Sequence, residues 1–315
     1  MLFRINTNKM RTILKALLLI AVFQSCEPGR SEKNQSSEKI KIVCTTSILT
    51  DWVLNIATEE AAVYSLLNKG IDPHVYKPSK KDLDLLRSAD IIIYHGLHLE
   101  GKIIAVLEKM KGPLVIDVSK NFPKSAIITD PSFPASQDPH YWFDVALVKN
   151  ALTTVTKEIS VNYPGLEAEM KVNLQEYQGE IDSVTIEVQK TIDNIDPGQR
   201  IVITTHDALS YFARAFGLTV NTLQGASTVS EYGLREITDL VNFICERKVK
   251  AIFLENIVSP QAMESVQRGC QEKGWNVALG PELLSDSLGQ KEDQDTYLEM
   301  LLFNARTIAS YLTKQ

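Results

Sequence analysis

Short apolar runs alternate with longer amphipathic stretches from Ile40 onwards. The first three apolar runs are IKIVCTT, AAVYSLL and DIIIYHG, and the stretches between them repeat apolar residues every three or four positions. A short apolar run bounded by turn residues predicts a buried strand, whereas the longer repeat predicts a helix. Strands that alternate with helices predict parallel β-α-β units with right-handed crossovers.

One long stretch interrupts this alternation. From Pro164 to Gly198 there is no strand pattern, and eight apolar residues recur at steps of three or four: Leu166, Met170, Leu174, Tyr177, Ile181, Val184, Val188 and Ile192. A single helix of about 30 residues would span roughly 45 Å, more than one small domain. The alternation then resumes with the runs RIVITT, LTVNTLQG, VKAIFLEN and WNVALG. We therefore expect a helix that runs along two lobes, rather than a surface helix on a single domain.

The predicted fold class is α/β, with two lobes, each a mostly parallel sheet flanked by helices, joined by one long rigid linking helix. The predicted segments are a signal peptide at 1–25, a flexible lipoprotein tether at 26–39, an N-terminal lobe at 40–163, the linking helix at 164–196 and a C-terminal lobe at 197–315.

The beginning of the chain predicts export. Basic residues precede an apolar run at 16–23, which is shorter than the roughly 20 residues that a membrane-spanning helix needs. It is typical of a secretory signal. Ser25 followed by Cys26 resembles the lipobox of bacterial lipoproteins, in which the cysteine carries the lipid; the alternative is a signal peptide with an incidental cysteine. The polar residues 27–39 predict a flexible tether. We expect an extracytoplasmic protein anchored by lipid to a bacterial membrane.

Charge and cysteine usage exclude some classes. Removal of residues 1–25 takes away four basic residues and no acid, so the net charge goes from −6 to −10. An acidic body argues against nucleic acid as a partner. Beyond Cys26 there are three cysteines without a CxxC pair, Cys44, Cys245 and Cys270, which indicates neither a disulfide framework nor a thiolate metal site. We interpret them as small buried residues; pairing of Cys245 with Cys270 stays open.

Two of the five histidines follow Asp-Pro, in the stretches DPHVY and DPHYW. His74 lies past the second predicted strand, His140 opens a predicted helix, His206 follows RIVITT, and Asp286 follows the last predicted strand. Open parallel sheets bind ligands beyond the carboxyl ends of their strands. Three imidazoles and one carboxylate suit a tetrahedral zinc ion. A catalytic zinc keeps one position open for water, so a complete set of protein ligands predicts binding and release.

Four acidic residues are candidates to orient these side chains: Asp72, Asp138, Asp207 and Glu255. Metal-bound histidines commonly donate their second N–H to a carboxylate or carbonyl. Asp72 and Asp138 are equally explained as turn residues that bond their own backbone. Glu255 also leaves a metallohydrolase open, with Glu255 as general base, although the chain has no HExxH motif. A surface adhesin with a structural metal is a further alternative.

Six stretches in order resemble the zinc and manganese solute-binding lipoproteins of bacterial ABC transporters, the TroA-like family: GIDPHVYKPSKKDL, HGLHLEGK, DPHYWFDV, ITTHDALSYFARAFGL, QGASTVSE and GPELLSDSLG. The resemblance implies a metal-capturing receptor that is not an enzyme, with an ABC permease and its ATPase as partners. Its metal ligands would be His74, His140, His206 and Asp286, with one ion per chain. It also implies a stiff linking helix, and we expect a monomer.

The chain departs from the family pattern at His95, where Asn is common. His95 and His98 are either a weak secondary metal site or, as we favour, solvated loop residues. The histidine-rich loop of some zinc-specific members is absent, which weakens the case for Zn²⁺. Manganese-selective members usually carry a carboxylate at the position of His206, and manganese prefers oxygen ligands. We therefore expect Zn²⁺, with Mn²⁺ as the alternative.

Overall fold

The computed structural model describes residues 38–130 and 133–313. The predicted signal peptide, most of the predicted tether and Cys26 lie outside this range. The first four strands and the helices that alternate with them are β1 (Ile40–Cys44), α1 (Ser47–Ile56), β2 (Ala61–Ser65), α2 (Lys80–Arg87), β3 (Ile91–Tyr94), α3 (Gly101–Leu107) and β4 (Leu114–Asp117). The four strands form one parallel sheet in the order β2-β1-β3-β4.

Both faces of this sheet are covered. Ile42 and Cys44 of β1 belong to the largest apolar cluster, whereas Val43 between them belongs to a smaller cluster on the other side. Ile92 of β3 packs in the same smaller cluster as Val43. Successive side chains of a strand point to opposite faces, so an unbroken apolar strand needs cover on both sides. This explains why Ile42, Val43 and Cys44 of β1 are apolar in succession instead of alternating with polar residues.

The next elements are β5 (Thr129–Asp130), β6 (Phe133–Gln137), α4 (Val145–Asn162) and α5 (Glu167–Asp193). The elements before α5 form the first half of the chain, and the second half consists of β7 (Ile201–Thr204), α6 (Ser210–Phe216), β8 (Thr219–Thr222), α7 (Leu234–Arg247), β9 (Ala251–Glu255), α8 (Gln261–Glu272), β10 (Ala278–Leu283) and α9 (Tyr297–Leu312). The second half repeats the parallel arrangement: β7 pairs with β8, β9 pairs with β10, and β7 lies beside β9.

The long helix α5 contacts both halves of the chain. Its 27 residues span about 40 Å at 1.5 Å per residue. It packs against α1 and α4 of the first half and against α6 and α9 of the second. Tyr177 donates its hydroxyl to Oδ2 of Asp51 at 3.2 Å, and Arg306 of α9 donates to Glu187 of α5 at 2.6 Å. The predicted apolar stripe is therefore the surface that both halves share.

The predicted α/β class with parallel sheets is confirmed. The stretch between β4 and α4 also contains the antiparallel pair β5–β6, for which no strand was predicted. The helix that follows β7 begins at Ser210, four residues beyond His206. The described residues from Lys39 onwards form one compact unit, and their division into two lobes stays a prediction. Within the described ranges, no helix combines the length and the apolar character that crossing a bilayer requires.

Candidate metal site

The structure brings the four predicted ligands together. One nitrogen or oxygen atom from each of His74, His140, His206 and Asp286 lies within 4.8 Å of all the others. His140, His206 and Asp286 are at most 1% exposed, and His74 is 7% exposed. Because His74 and His140 come from the first half and the other two from the second, the cluster joins the two halves.

Strand ends explain how the second half supplies its members. His206 lies two residues beyond β7, Glu255 is the last residue of β9, and Asp286 lies three residues beyond β10. These three strands are neighbours, so their carboxyl ends meet at one edge. The first half supplies His74 from the loop after β2 and His140 from the turn after β6.

The separations around Asp286 suit a tetrahedral ion. Its carboxylate oxygens lie 3.1 Å from Nε2 of His74, 3.3 Å from Nε2 of His140 and 3.4 Å from Nε2 of His206. The Nε2 atoms of His74 and His140 are 3.3 Å apart. Ligands about 2.0–2.1 Å from a tetrahedral zinc are separated by about 3.3 Å, which is the length of the tetrahedron's edge. These four separations therefore match the spacing between the ligand atoms of a tetrahedral zinc ion.

Unpaired polar atoms mark the same position. Neither oxygen of Asp286 accepts a well-aligned hydrogen bond from the described residues, and its nearest polar neighbours are the histidine nitrogens of the cluster; Nε2 of His206 likewise has no aligned hydrogen-bond partner there. A buried carboxylate without aligned donors is destabilising, because burial removes its hydration. A cation at this point would replace the missing partners. The donor set, three nitrogens and one oxygen acceptor, is one that zinc commonly takes.

Asp138 serves both roles left open from the sequence. Its Oδ1 accepts the backbone N–H of His140 at 2.9 Å, which is the geometry of an Asx turn. The same oxygen lies 2.7 Å from Nδ1 of His140. The bond fixes Nδ1 as the donor and turns Nε2 towards Asp286. Asp138 therefore both forms the turn and orients the ring.

Asp72 forms the corresponding turn without the ring contact. Its Oδ1 accepts the backbone N–H of His74 at 2.8 Å, and its Oδ2 accepts the hydroxyl of Thr228 at 2.8 Å. Thr228 comes from the second half of the chain. Asp72 therefore sets the direction of His74 and also bridges the halves at the most exposed of the four predicted ligands.

Glu255 contacts His206 twice and the neighbouring residue Thr205 once. Its Oε1 accepts the backbone N–H groups of Thr205 and His206, each at 2.9 Å, and its Oε2 lies 2.5 Å from Nδ1 of His206. This carboxylate faces the ring nitrogen opposite the cluster. It is consequently positioned to orient the histidine and not to act on a bound substrate. Asp207, in contrast, accepts the Ser210 hydroxyl with both oxygens, at 2.7 and 2.8 Å.

Electrostatics favour protons on His140 and His206 when no cation is bound. Burial lowers the pKa of His140, but Asp286 and Asp138 outweigh it and raise the pKa to about 9. For His206 burial acts in the same direction, yet Glu255 and Asp286 hold its pKa well above the usual range. Burial raises the pKa of Asp286, but His140 and His206 bring it well below the usual range. A cation and protons therefore compete for the same negative site.

His95 was wrongly expected to be solvated. It is fully buried; its Nε2 lies 2.8 Å from Oγ1 of Thr46, and its Nδ1 lies 2.7 Å from the Tyr141 hydroxyl. Burial lowers the pKa of His95 to about 3, so the ring is neutral. Because both nitrogens have partners, His95 is a structural residue behind the cluster. His98 is exposed, as expected for a loop residue.

Sequence reasoning missed two bridges between the halves. Trp142 donates its Nε1–H to the carbonyl oxygen of Ser285, next to Asp286, and Thr228 donates to Asp72. All four residues stand within three positions of a predicted ligand or inside the QGASTVSE stretch. Their proximity to those motifs was the signal available in the sequence, but it does not show which of these residues bond to each other.

Comparison with protein families identifies one match that spans most of the chain. The model of the family described as ZnuA, zinc-uptake complex component A, periplasmic, matches residues 42–311.

Individual proteins match over similar lengths. The manganese-binding lipoprotein MntA of Bacillus subtilis is 35% identical over 96% of this chain and 100% of its own length. The solved structure of the periplasmic zinc-binding protein TroA from Treponema pallidum is 35% identical, with a TM-score of 0.84 over 88% of this chain and 100% of that one. A Mn-bound periplasmic metal-binding protein from Candidatus Liberibacter asiaticus is 25% identical, with a TM-score of 0.76.

Proposed function

Because the chain belongs to the ZnuA/TroA family of metal-uptake proteins, we propose that it captures a divalent metal ion outside the cytoplasm and delivers it to an ABC permease. It is a substrate-binding protein in which Zn²⁺ or Mn²⁺ is the cargo. The observation that carries this function is the convergence of three buried imidazoles and the unpaired carboxylate of Asp286 within 4.8 Å.

In this proposal His74, His140, His206 and Asp286 bind the ion directly. Asp138 and Glu255 orient His140 and His206 through their Nδ1 atoms. Orientation by a second carboxylate also increases the basicity of a histidine ligand. Capture requires the bound protons to leave, since neutral imidazole is the ligand form. Release to the permease requires only that the two pairs of ligands separate, because each half holds two.

We propose Zn²⁺ as the preferred ion, with Mn²⁺ as the alternative. Three nitrogen ligands favour zinc, whereas manganese prefers oxygen-rich sets, and zinc binds more tightly at almost any such site. The distances of 3.1 to 3.4 Å between the Asp286 oxygens and the histidine nitrogens agree with the ligand-to-ligand distance that zinc–nitrogen bonds of about 2.0–2.1 Å produce in a tetrahedron. The relatives include proteins named for each metal, so the ligand chemistry of this chain carries the choice.

We also propose that the chain acts only as a receptor and not as an enzyme. It is a monomer that is anchored through a lipid on Cys26. Four protein ligands complete a tetrahedron and leave no position for the water that a catalytic zinc activates. Glu255, the candidate general base, is directed at His206 and away from the cluster. No observation favours a metallohydrolase or an adhesin. The permease and its ATPase are the partners that this role requires.

Elemental analysis of the purified protein tests the function, followed by competition between the two metals. We expect one divalent ion per chain and displacement of Mn²⁺ by equimolar Zn²⁺. Protein that is isolated free of metal and takes up neither ion at micromolar concentration would contradict the proposal. Retention of Mn²⁺ against equimolar Zn²⁺ would overturn the preference but not the receptor function.

A further inference from the structure

Two cysteines outside the metal site lie against each other. Cys245 belongs to α7 and Cys270 to α8, helices that pack together. The Cys270 thiol is within hydrogen-bond reach of the Cys245 thiol, and both are free. The third cysteine in the described part of the chain, Cys44, is buried in the N-terminal sheet. The pair is used neither by the metal site nor by any contact described above.

The backbones of α7 and α8 approach closely beside this pair. A Cβ atom added at Gly269 would lie 2.9 Å from Cγ2 of Val241, closer than real side chains come. Val241 and Cys245 are four residues apart and so lie on one face of α7, while Gly269 directly precedes Cys270. A disulfide requires Cα atoms about 4.4–6.8 Å apart, a separation that ordinary helix packing rarely provides. The absence of a side chain at Gly269 lets α8 pack closely on α7 beside the two thiols.

We propose that Cys245 and Cys270 form a disulfide bond in the extracytoplasmic protein. The inference rests on the location outside the cytoplasm, where disulfides form and persist, and not on the metal. The unequal exposure of the two thiols supports it: Cys245 is half-buried and therefore accessible to an oxidant, whereas Cys270 is fully buried beside it.

The bond forms by exchange with a disulfide-containing oxidant. The Cys245 thiol loses its proton, and its sulfur attacks the oxidant, which releases one thiolate and leaves a mixed disulfide. Cys270 then loses its proton and attacks the Cys245 sulfur, which releases the second thiolate. Two protein thiols are oxidised, and one oxidant disulfide is reduced to two thiols. Burial and the neighbouring Cys245 raise the pKa of Cys270 to about 12, which makes it the second thiol to react.

The crosslink would close a loop that contains β9. Glu255, at the end of β9, accepts the backbone N–H of His206, so the closed loop includes a support of the metal site. Crosslinking mainly restricts the unfolded chain, and the effect grows with the length of the closed loop. We therefore expect the oxidised protein to be more stable than the reduced protein, with or without metal.

Peptide mapping tests the proposal. The full chain is isolated from its host's membranes without reductant, with free thiols blocked by N-ethylmaleimide at lysis, and digested with trypsin. We expect residues 236–247 and 269–273 to appear as one disulfide-linked pair. Both peptides carrying the maleimide label, even after incubation of the protein with oxidised glutathione, would overturn the inference. Accumulation of glutathione on Cys245 without a crosslink would overturn it too.

Thermal unfolding provides a second measurement. Reduction should lower the Tm of the wild-type protein by about 5 °C or more. Cys245→Ser, at a half-buried position, should remove this response to reductant, whereas Cys44→Ala should keep it. An equal response in Cys245→Ser would contradict the assignment. Metal content measured on the same samples separates failure of this inference from failure of the receptor function.

Discussion

Trp142 donates its Nε1–H to the carbonyl oxygen of Ser285 at 2.9 Å. Trp142 lies two residues beyond His140, and Ser285 directly precedes Asp286. This bond therefore connects the backbone segments that carry one predicted ligand from each half. The hydroxyl of Tyr297 donates to the carbonyl oxygen of Trp142 at 2.5 Å, which fixes the same turn from α9. Both bonds join protein groups. They position the turn of His140 against the residue before Asp286, which reduces the ordering cost of binding a metal ion.

Trp142→Phe should weaken metal binding about tenfold. Phenylalanine keeps an aromatic ring at this position, but the buried carbonyl oxygen of Ser285 loses its hydrogen-bond donor, which costs about 1–3 kcal/mol. Calorimetric titration with zinc measures the affinity. Trp275→Phe is the matched control, because Trp275 donates in the same way to the carbonyl oxygen of Val249, at the far end of β9 from Glu255. It should lower the Tm and leave the affinity unchanged. Equal loss of affinity in both variants would show that the Trp142 bond has no special role.

His206→Ala should remove most of the stabilisation that zinc confers. A ligand that binds only the folded protein at a thousandfold excess over Kd stabilises it by roughly 4 kcal/mol. The change leaves His74 and His140 in place but deletes one of the two ligands from the second half. Thermal unfolding with and without zinc is the measurement, and the exposed His98→Ala is the control. If His98→Ala reduced the zinc-induced shift as much, the proposed ligand set would be wrong.

Glu255→Gln should lower metal affinity by about 10- to 100-fold, the usual effect of losing a carboxylate behind a histidine ligand. The amide keeps an oxygen for the backbone N–H groups of Thr205 and His206, but its NH₂ cannot accept from Nδ1 of His206. Asp207→Asn is isosteric in the same way, and its oxygens are bonded to Ser210. It should change the affinity little. The prediction fails if the two substitutions weaken zinc binding to the same extent.

Metal affinity should rise steadily from about pH 5 to pH 9. In the metal-free protein the pKa of His140 is raised to about 9 and that of His206 is also held well above its usual range, so protons compete with the ion over this interval. Binding near neutral pH should release protons, measurable by titration in buffers of different ionisation enthalpy. Affinity that does not change with pH would mean that the histidines do not carry the binding.

The same shifts determine how the stability of the metal-free protein depends on pH. A histidine whose pKa is higher when folded stabilises the protein fully below its unfolded value, about 6.5. That contribution is lost as pH rises through the folded value, about 9 for His140. The Tm of the metal-free protein should therefore fall between pH 7 and 9, while the zinc-bound protein should resist this loss.

Cys26→Ser should release the protein from the membrane fraction without changing metal binding. The lipid would be attached through the thiol, and residue 26 lies outside the part of the chain that contains the site. Centrifugation of lysed cells, followed by metal analysis of the soluble fraction, measures both properties. Continued sedimentation of the variant with membranes would contradict the predicted anchor.

The sequence alone determined the order of the elements and the two Asp-Pro-His turns, because these depend on local rules. Apolar periodicity identifies a strand or a helix, and an Asx turn is formed by residues two positions apart. The long helix followed from its apolar stripe for the same reason. The antiparallel pair β5–β6 was not predicted, because its short segments lie among polar and proline residues, which predict a loop.

Tertiary structure decided which of these features meet. Thr228 and Asp72 are 156 positions apart, and Trp142 and Ser285 are 143 apart, so no local pattern encodes either bond. His95 belongs to a loop motif, yet Thr46 and Tyr141 supply hydrogen-bond partners for both of its ring nitrogens. These bonds replace the hydrogen bonds to water that the ring loses on burial. Likewise, Cys245 and Cys270 are ordinary helical residues in the sequence. Only the packing of α8 on α7, made close by Gly269, puts the two thiols together.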